Sequence, residues 1–351
     1  MPVERIDIAH FRNITEASLT LAPHLTLVVG ANGQGKTNLL EALYVILQGR
    51  DFRVASERDA IQLHESVATL TAEGRLGDHP VKWRHAIQRQ PLRRLHSGPV
   101  VPVVLFSPED VTLAKGSPEV RRRFLDLLLA PHDPHYARSL KAYHRVLLQR
   151  NRALKEAQYH GLIDDFTPLL IREGTYIWRR RSEAFQELLA LAKPLHHELA
   201  GGEDLTASYH FGGAAHPVAG EETYRAEMQR RRPDEIVRQV TLVGPHRDDL
   251  EFFLNGQPAA GFASQGQLRT IALSLKLATY DWLAKETGMT PVVLLDDVLS
   301  ELDSARRSRL LELVAQPGQQ TLVTDTEARN FEALTPLIYH VGNGVITPWE
   351  R

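Results

Sequence analysis

The sequence predicts an α/β protein: a head assembled from both ends of the chain, with a mainly helical domain inserted between them. Three observations predict this. Residues 1–115 read as strands around one helix, residues 116–238 carry largely helical periodicity, and residues 239–351 return to strands alternating with helices. A chain of 351 residues can bury a sizeable core.

At the N-terminus, residues 3–8 alternate as a half-buried strand does, and residues 25–29 (LTLVV) form a compact apolar run ending at Gly30. A helix is expected over residues 38–47, where Leu39, Leu40, Leu43 and Leu47 share helical spacing. Residues 69–75 and 81–88 read as paired strands about the turn Gly77-Asp78-His79-Pro80, and residues 100–106 as a further strand. Pro108 and Gly116 then punctuate the change to helical texture. Within it Pro131, Pro134, Gly161, Pro168 and Pro194 are expected to break the helices. Loop-like material follows with Gly201-Gly202, Gly212-Gly213 and Pro217, and residues 205–211 are a strand inside it. Strands are expected again at 239–243, 251–254, 292–295, 321–324 and 337–341, with helices at about 264–285 and 304–315.

Composition narrows the function. Lysine and arginine total 41 against 43 acids, a net charge of −2, which excludes a uniformly basic coat for nucleic acid. Any polyanion must meet local basic patches. The absence of cysteine removes disulfides, thiolate zinc sites and cysteine nucleophiles. The start MPVERIDIAHF lacks the features of a signal peptide, and the apolar runs fall short of the roughly 20 residues needed to cross a bilayer. The chain therefore reads as cytoplasmic, with no membrane partner. Of the histidines, the pairs His132/His135, His196/His197 and His210/His216 lack metal-ligand spacing beside a ligating acid.

One segment carries specific chemistry. Gly30-Ala31-Asn32-Gly33-Gln34-Gly35-Lys36-Thr37 fits G-x-x-x-x-G-K-[ST], with an apolar strand before it and a helix after it. Glycines let backbone N–H groups turn inward around β- and γ-phosphates, and the helix start presents the positive end of its dipole there. Lys36 is placed to reach the phosphate oxygens and Thr37 to ligate Mg²⁺. Residues 291–297 (PVVLLDD) form a buried strand ending in two acids. Beside a phosphate loop, Asp296 holds Mg²⁺ through water and Asp297 polarises the attacking water; taken alone, the run marks only a strand end. Ser264 and Gln267 form a capping-box pattern ahead of a long helix, which is a helix start and also an anion site.

Positive charge gathers on the segment 135–155. Arg138, Lys141, Arg145 and Arg152 fall on one helical face, with Leu140, Tyr143, Leu147 and Leu154 opposite. That face is either solvated or a DNA-binding stripe. The clusters Arg121–Arg123, Arg179–Arg181 and Arg230–Arg232 either bind DNA or form internal ion pairs.

Taken in order, Phe11-Arg12-Asn13, GANGQGKTNLLEAL, a long insertion, SQGQLR and LLDDVLSELD resemble the cassette ATPases of chromosome maintenance and repair, and within them the RecF family. Further matches are FSPED at 106–110, RRRFLD at 121–126, QRNRALK at 149–155 and GPHRDDL at 244–250, so the resemblance spans essentially the whole chain. It is weakest over residues 199–238. The resemblance implies an ABC-type P-loop ATPase head with a helical arm, ATP and Mg²⁺ as cofactors, and an ATP-dependent homodimer on DNA. It implies weak, DNA-stimulated hydrolysis used as a switch. It also implies a role in recombinational repair, replication gaps and the SOS response, with RecO and RecR as partners. Carried onto this sequence, Arg12, Gly266 and Gln267 join the nucleotide-binding set, Ser264 acts across the dimer, and Asp296 and Asp297 close the site. Asp303 is either a dimer-facing residue or the cap of the following helix. Glu109 is either a nucleotide-facing acid or a surface one. Asp297 stands where many cassettes have glutamate, and Thr324-Asp325-Thr326 stands where transporters place histidine, so slow turnover is expected. Two other classes share the nucleotide motifs: a transporter's energising subunit, which the long arginine-rich insertion between Lys36 and Ser264 opposes, and a scaffold that binds ATP without turnover.

Overall fold

The computed structural model describes residues 3–51, 57–214, 220–299, 302–328, 331 and 334–349; His216 and Pro217, and residues 300–301 of the LLDDVLSELD segment, lie outside them. In chain order the strands are β1 (Arg5–Phe11), β2 (Ile14–Thr20), β3 (Leu25–Val29), β4 (Val67–Leu76), β5 (His79–Gln88), β6 (Arg93–Ser97), β7 (Val103–Phe106), β8 (Leu205–His210), β9 (Asp249–Leu254), β10 (Gln257–Pro258), β11 (Val292–Asp296), β12 (Thr321–Asp325), β13 (Leu337–Gly342) and β14 (Val345–Pro348). The helices are α1 (Lys36–Gln48), α2 (Thr112–Lys115), α3 (Pro118–Leu129), α4 (Pro134–Lys155), α5 (Ile163–Leu199), α6 (Glu221–Arg238), α7 (Ala259–Phe262), α8 (Gln265–Thr287) and α9 (Ser304–Val314). Two compact units divide the chain, Met1–Asp110 with Thr279–Arg351, and Val111–Ala278. Among the described residues no helix is long and apolar enough to cross a membrane.

The first unit is built on two sheets. One has the order β14-β13-β3-β12-β11-β7, parallel except for β14. Its strands β3, β12 and, at the edge, β7 are buried at every position, which is why they read as apolar runs and not as alternations. The other is antiparallel, β2-β1-β4-β5-β6, and its members β4 and β5 alternate between buried and exposed. Helix α1 is buried on nearly every side, and its Leu39, Leu43 and Leu47 share one core with residues of both sheets, such as Ile8, Trp83, Leu294 and Leu322. The expected turn after β4 tightens to Gly77-Asp78, because Leu76 already pairs with His79. β2, β6 and β14 were not expected from the sequence; β6 and β14 are short and mostly exposed, so little apolar pattern marks them.

The second unit combines α3 to α6 with the antiparallel sheet β10-β9-β8. The sequence expectation fails here at four places. Pro168 and Pro194 do not break α5, which runs for 37 residues through both. Both prolines lie on its exposed side, where the carbonyl each leaves without a partner meets water, and the stripe Leu170, Ile177, Phe185 and Leu188 stays buried. Residues 221–238, expected as loop, form α6, whose buried face is only Tyr224, Met228 and Glu235 and is too sparse to stand out. Residues 239–243 are not a strand. Their backbone is satisfied by side chains: Thr241 N donates to Asn151 Oδ1 at 2.8 Å and Leu242 N to Glu235 Oε1 at 2.8 Å. Finally, the return to the head expected at residue 239 does not coincide with the compact units, because residues 239–278 group with the helices. β9 pairs with β8, and Asp249 accepts Arg121 Nε at 2.6 Å.

Candidate functional site

The phosphate loop leaves β3 at Gly30 and enters α1 at Lys36. A Cβ on Gly30 would sit 2.4 Å from the Val341 carbonyl of β13, so the loop can depart beside that strand only as glycine. Gly35 has φ +112, and a Cβ there would fall 2.6 Å from Asn13 Oδ1. Asn13, in the β1–β2 turn, donates from Nδ2 to Gln34 O at 3.1 Å and accepts Asn38 Nδ2 at 2.8 Å, tying the loop to the first turn of α1. From the other side the β13–β14 turn holds the same residue: Asn343 N donates to Gln34 Oε1 at 2.6 Å and Gly344 N to Gln34 O at 2.9 Å. Lys36 is only 5% exposed, and its Nζ donates to Gly30 O at 2.7 Å and Ala31 O at 3.2 Å, with Asn32 Oδ1 at 3.4 Å. The ammonium is thus held within the loop that would surround phosphates.

The sheet order brings the acids to this loop. β12 lies between β3 and β11, and the C-terminal ends of these parallel strands carry Gly30, Asp325 and Asp296. Asp296 Oδ1 accepts Thr37 Oγ1 at 2.9 Å and Thr324 Oγ1 at 2.9 Å. Asp297 has φ +51, and its N–H points to the Thr324 carbonyl at 3.1 Å and Thr324 Oγ1 at 3.2 Å. A cleft of about 390 Å³ opens over this floor, lined by Asn32, Gly33, residues 35–38, Pro108, Asp296 and Asp297. The hydroxyl of Thr37 and the carboxylate of Asp296 are hard oxygen donors side by side, a set that suits Mg²⁺. Glu109 is exposed in the turn beside Pro108.

Ser264, Gly266 and Gln267 belong to the second unit. Their capping box is formed in both directions: Ser264 N donates to Gln267 Oε1 at 2.8 Å and Gln267 N to Ser264 Oγ at 3.2 Å. Phe262, just ahead of it, is 75% exposed. On α4, Arg138, Lys141, Arg145 and Arg152 are exposed, Tyr143, Leu147 and Leu154 are buried, and Leu140 is half-buried. Arg152 pairs with Glu156 at 3.0 Å.

One residue stands where the sequence did not put it, and others take one of the two roles the sequence left open. Arg12, expected among the nucleotide ligands, does not line the cleft. Its guanidinium is taken up by the buried Glu41 of α1, by Asp51 at 3.1 Å and by the Asp59 carbonyl at 2.9 Å. Asp303 caps α9, accepting Arg306 N at 3.0 Å. The arginine clusters make internal ion pairs: Arg121 with Asp249, Arg180 with Asp133, Arg181 with Asp126 and Asp248, and Arg230, Arg231 and Arg232 with Glu227, Asp234 and Asp164. Conversely, Asn13, Gln34 and Thr324 matter to the site in ways the motifs did not reveal. Thr324 faces Asp296 only because the two are register partners on β12 and β11, a pairing with no local mark.

Fold, loop and paired acids together define a P-loop ATPase head of the ABC type. A family profile described as an AAA ATPase domain matches residues 1–74. The DNA replication and repair protein RecF of Bacillus cereus strain AH820 is 37% identical over 371 residues, covering 99% of this chain and 98% of that protein, and RecF of Bacillus anthracis strain CDC 684 matches to the same extent. The chain belongs to the RecF family. A solved structure of the recombination mediator protein RecF-ATP in the RecFOR pathway superposes with a TM-score of 0.90 at 27% identity, over 99% of this chain and 98% of that one. An Smc head domain from Pyrococcus furiosus shares the fold, with a TM-score of 0.54 at 16% identity over 99% of this chain and 96% of that one.

Proposed function

We propose that this protein is an ATP-driven DNA-binding switch of recombinational repair, acting at replication gaps and in the SOS response with RecO and RecR. The observation that carries the reading is the convergence of Lys36, Thr37 and Asp296 on one cleft, with Thr37 Oγ1 and Asp296 Oδ1 2.9 Å apart. Gly30, Ala31, Asn32, Gly33, Gln34 and Gly35 wrap the phosphates, and Lys36 exchanges its loop carbonyls for phosphate oxygens. Thr37 and Asp296 would hold Mg²⁺, which when bound would neutralise phosphate charge. Asp297, at the mouth of the acid pair, orients the attacking water. Its side chain is one methylene shorter than glutamate, and the Thr324 hydroxyl is committed to Asp296, so hydrolysis is slow and serves to end the bound state.

Ser264 of one copy completes the phosphate site of another, so ATP joins two heads. Exposed Phe262 beside Ser264 supports a contact surface there, since an aromatic ring gains from being covered. DNA runs along the exposed basic face of α4, Arg138, Lys141, Arg145 and Arg152, and its binding accelerates the weak ATPase. The protein works in the cytoplasm.

Two variants test this. Lys36→Met should weaken ATP binding by the monomer, measured by titration with a fluorescent ATP analogue; unchanged affinity refutes the cradle. Ser264→Arg should keep monomer ATP binding and abolish the ATP-dependent dimer in size-exclusion chromatography with light scattering. A dimer that survives refutes the two-site assembly.

A further inference from the structure

We propose that Glu203 is a positioning residue for Ser264: from the turn that ends α5 it sets the orientation of Gln267, and through Gln267 that of the serine hydroxyl. This rests on the reading of Ser264 as a donor to a partner's γ-phosphate.

The chain leaves α5 through Gly201 (φ +67) and Gly202 (φ +105), a reversal that side chains with a Cβ resist. The turn is pinned on both sides. Gly202 N donates to His197 O at 2.9 Å, while Asp204 N donates to Asn255 Oδ1 at 2.9 Å and Asn255 N returns to Asp204 O at 2.9 Å. Glu203 is therefore held in place by its backbone, and its Oε1 accepts Gln267 Nε2 at 2.6 Å. Its Oε2 stands 3.7 Å from Nε2 of the buried His196.

A primary amide has one accepting and one donating end, and its neighbours decide which way it faces. A carboxylate can only accept, so Glu203 draws the NH₂ of Gln267 toward itself and leaves the carbonyl for Ser264 N–H. The backbone N–H of Gln267 then meets the lone pair of Ser264 Oγ at 3.2 Å. With that lone pair engaged, the hydroxyl of exposed Ser264 keeps its own hydrogen to give to a phosphate oxygen. An ordinary capping box fixes a helix start. This one has a third member that fixes the polarity of its amide.

Glu203→Lys tests the link selectively. An ammonium can only donate, so it turns the carbonyl of Gln267 toward itself and leaves the NH₂ facing Ser264 N–H. We expect ATP affinity of the monomer to stay within about twofold of wild type and the ATP-dependent dimer to weaken by about tenfold or more, the usual scale for losing a charged hydrogen bond. Adding Gln267→Glu sets a carboxylate against that ammonium and keeps an oxygen for Ser264 N–H, and should restore the dimer to within about threefold. Monomer ATP titrations, light scattering and thermal melts on wild type, both variants and Ser264→Arg complete the set. A purely structural role lowers the melting temperature without separating the two affinities, and overturns the proposal. So does wild-type dimerisation by Glu203→Lys while Ser264→Arg remains monomeric, or failure of the double variant to recover. A dimer that persists in Ser264→Arg removes the underlying reading instead, and the proposal with it.

Discussion

Asp297 adopts a left-handed backbone, φ +51, at the end of a strand otherwise in extended geometry. Such a conformation costs a non-glycine residue on the order of 1 kcal/mol, least for aspartate and asparagine, and persists where its surroundings impose it. Here the Thr324 backbone and hydroxyl hold its N–H. Asp297→Asn should therefore keep the fold and ATP binding while cutting single-turnover hydrolysis by roughly 100-fold, in the range of a lost general base; the ATP-bound dimer should live correspondingly longer. A second residue-scale expectation concerns pH. Burial pushes His85 down to about 4, with nearby positive charge on His96 and Arg94 adding to the effect. In the unfolded chain the same imidazole takes its proton near 6.5. Between those values the unfolded state binds more protons, so stability falls as pH drops from 6.5 toward 4. Burial also pushes His246 down to about 4, in the same direction. Urea unfolding of His85→Gln between pH 7 and pH 5 should show a shallower loss of stability than wild type; an identical slope would show that His85 is not protonated only on unfolding.

At the scale of elements, the buried pair Arg150–Glu235 joins α4, α6 and the segment 239–243. Arg150 donates to Glu235 Oε2 at 2.6 Å and to Thr241 Oγ1 at 2.7 Å, and the other oxygen of Glu235 accepts Leu242 N. Both side chains are essentially shielded from water. Removing one partner strands the other charge, so Arg150→Ala should cost about 3–5 kcal/mol in denaturant unfolding. The effect should be far larger than for Arg230→Ala, whose pair with Glu227 is half exposed. Residues 239–243 read as a strand because Val240, Leu242 and Val243 are apolar, but the N–H groups of Thr241 and Leu242 go to side chains on two helices. The long α5 teaches a related lesson, since a buried stripe outweighs two prolines when both face solvent.

At the scale of the whole molecule, a net charge of −2 would confine the proposed DNA binding to those cations that are not spent internally. The clusters at 121–123, 179–181 and 230–232 are largely drawn into ion pairs, whereas Arg138, Lys141 and Arg145 stand exposed along one face of α4. Replacing those three by alanine should reduce the slope of log affinity against log salt by about 2.7 on duplex DNA, at about 0.9 per phosphate contact, with no change in melting temperature. An unaltered slope would place the DNA elsewhere.

By itself the sequence determined the α/β class, the phosphate loop, the acid pair, the capping box and the amphipathic α4. Each is written in contiguous residues whose spacing matches the period of one helix, strand or turn, so local chemistry is enough to read it. Tertiary structure decided what those pieces meet. Thr324 joins Asp296 through strand register, Asn13 and the β13–β14 turn clasp Gln34, Arg12 is drawn to Glu41 and away from the cleft, and Glu203 reaches Gln267 from the end of another helix. These contacts join residues far apart in the chain, and no periodicity encodes them; they exist because packing both sheets around α1, and α5 within its own unit, brings those side chains within hydrogen-bond reach.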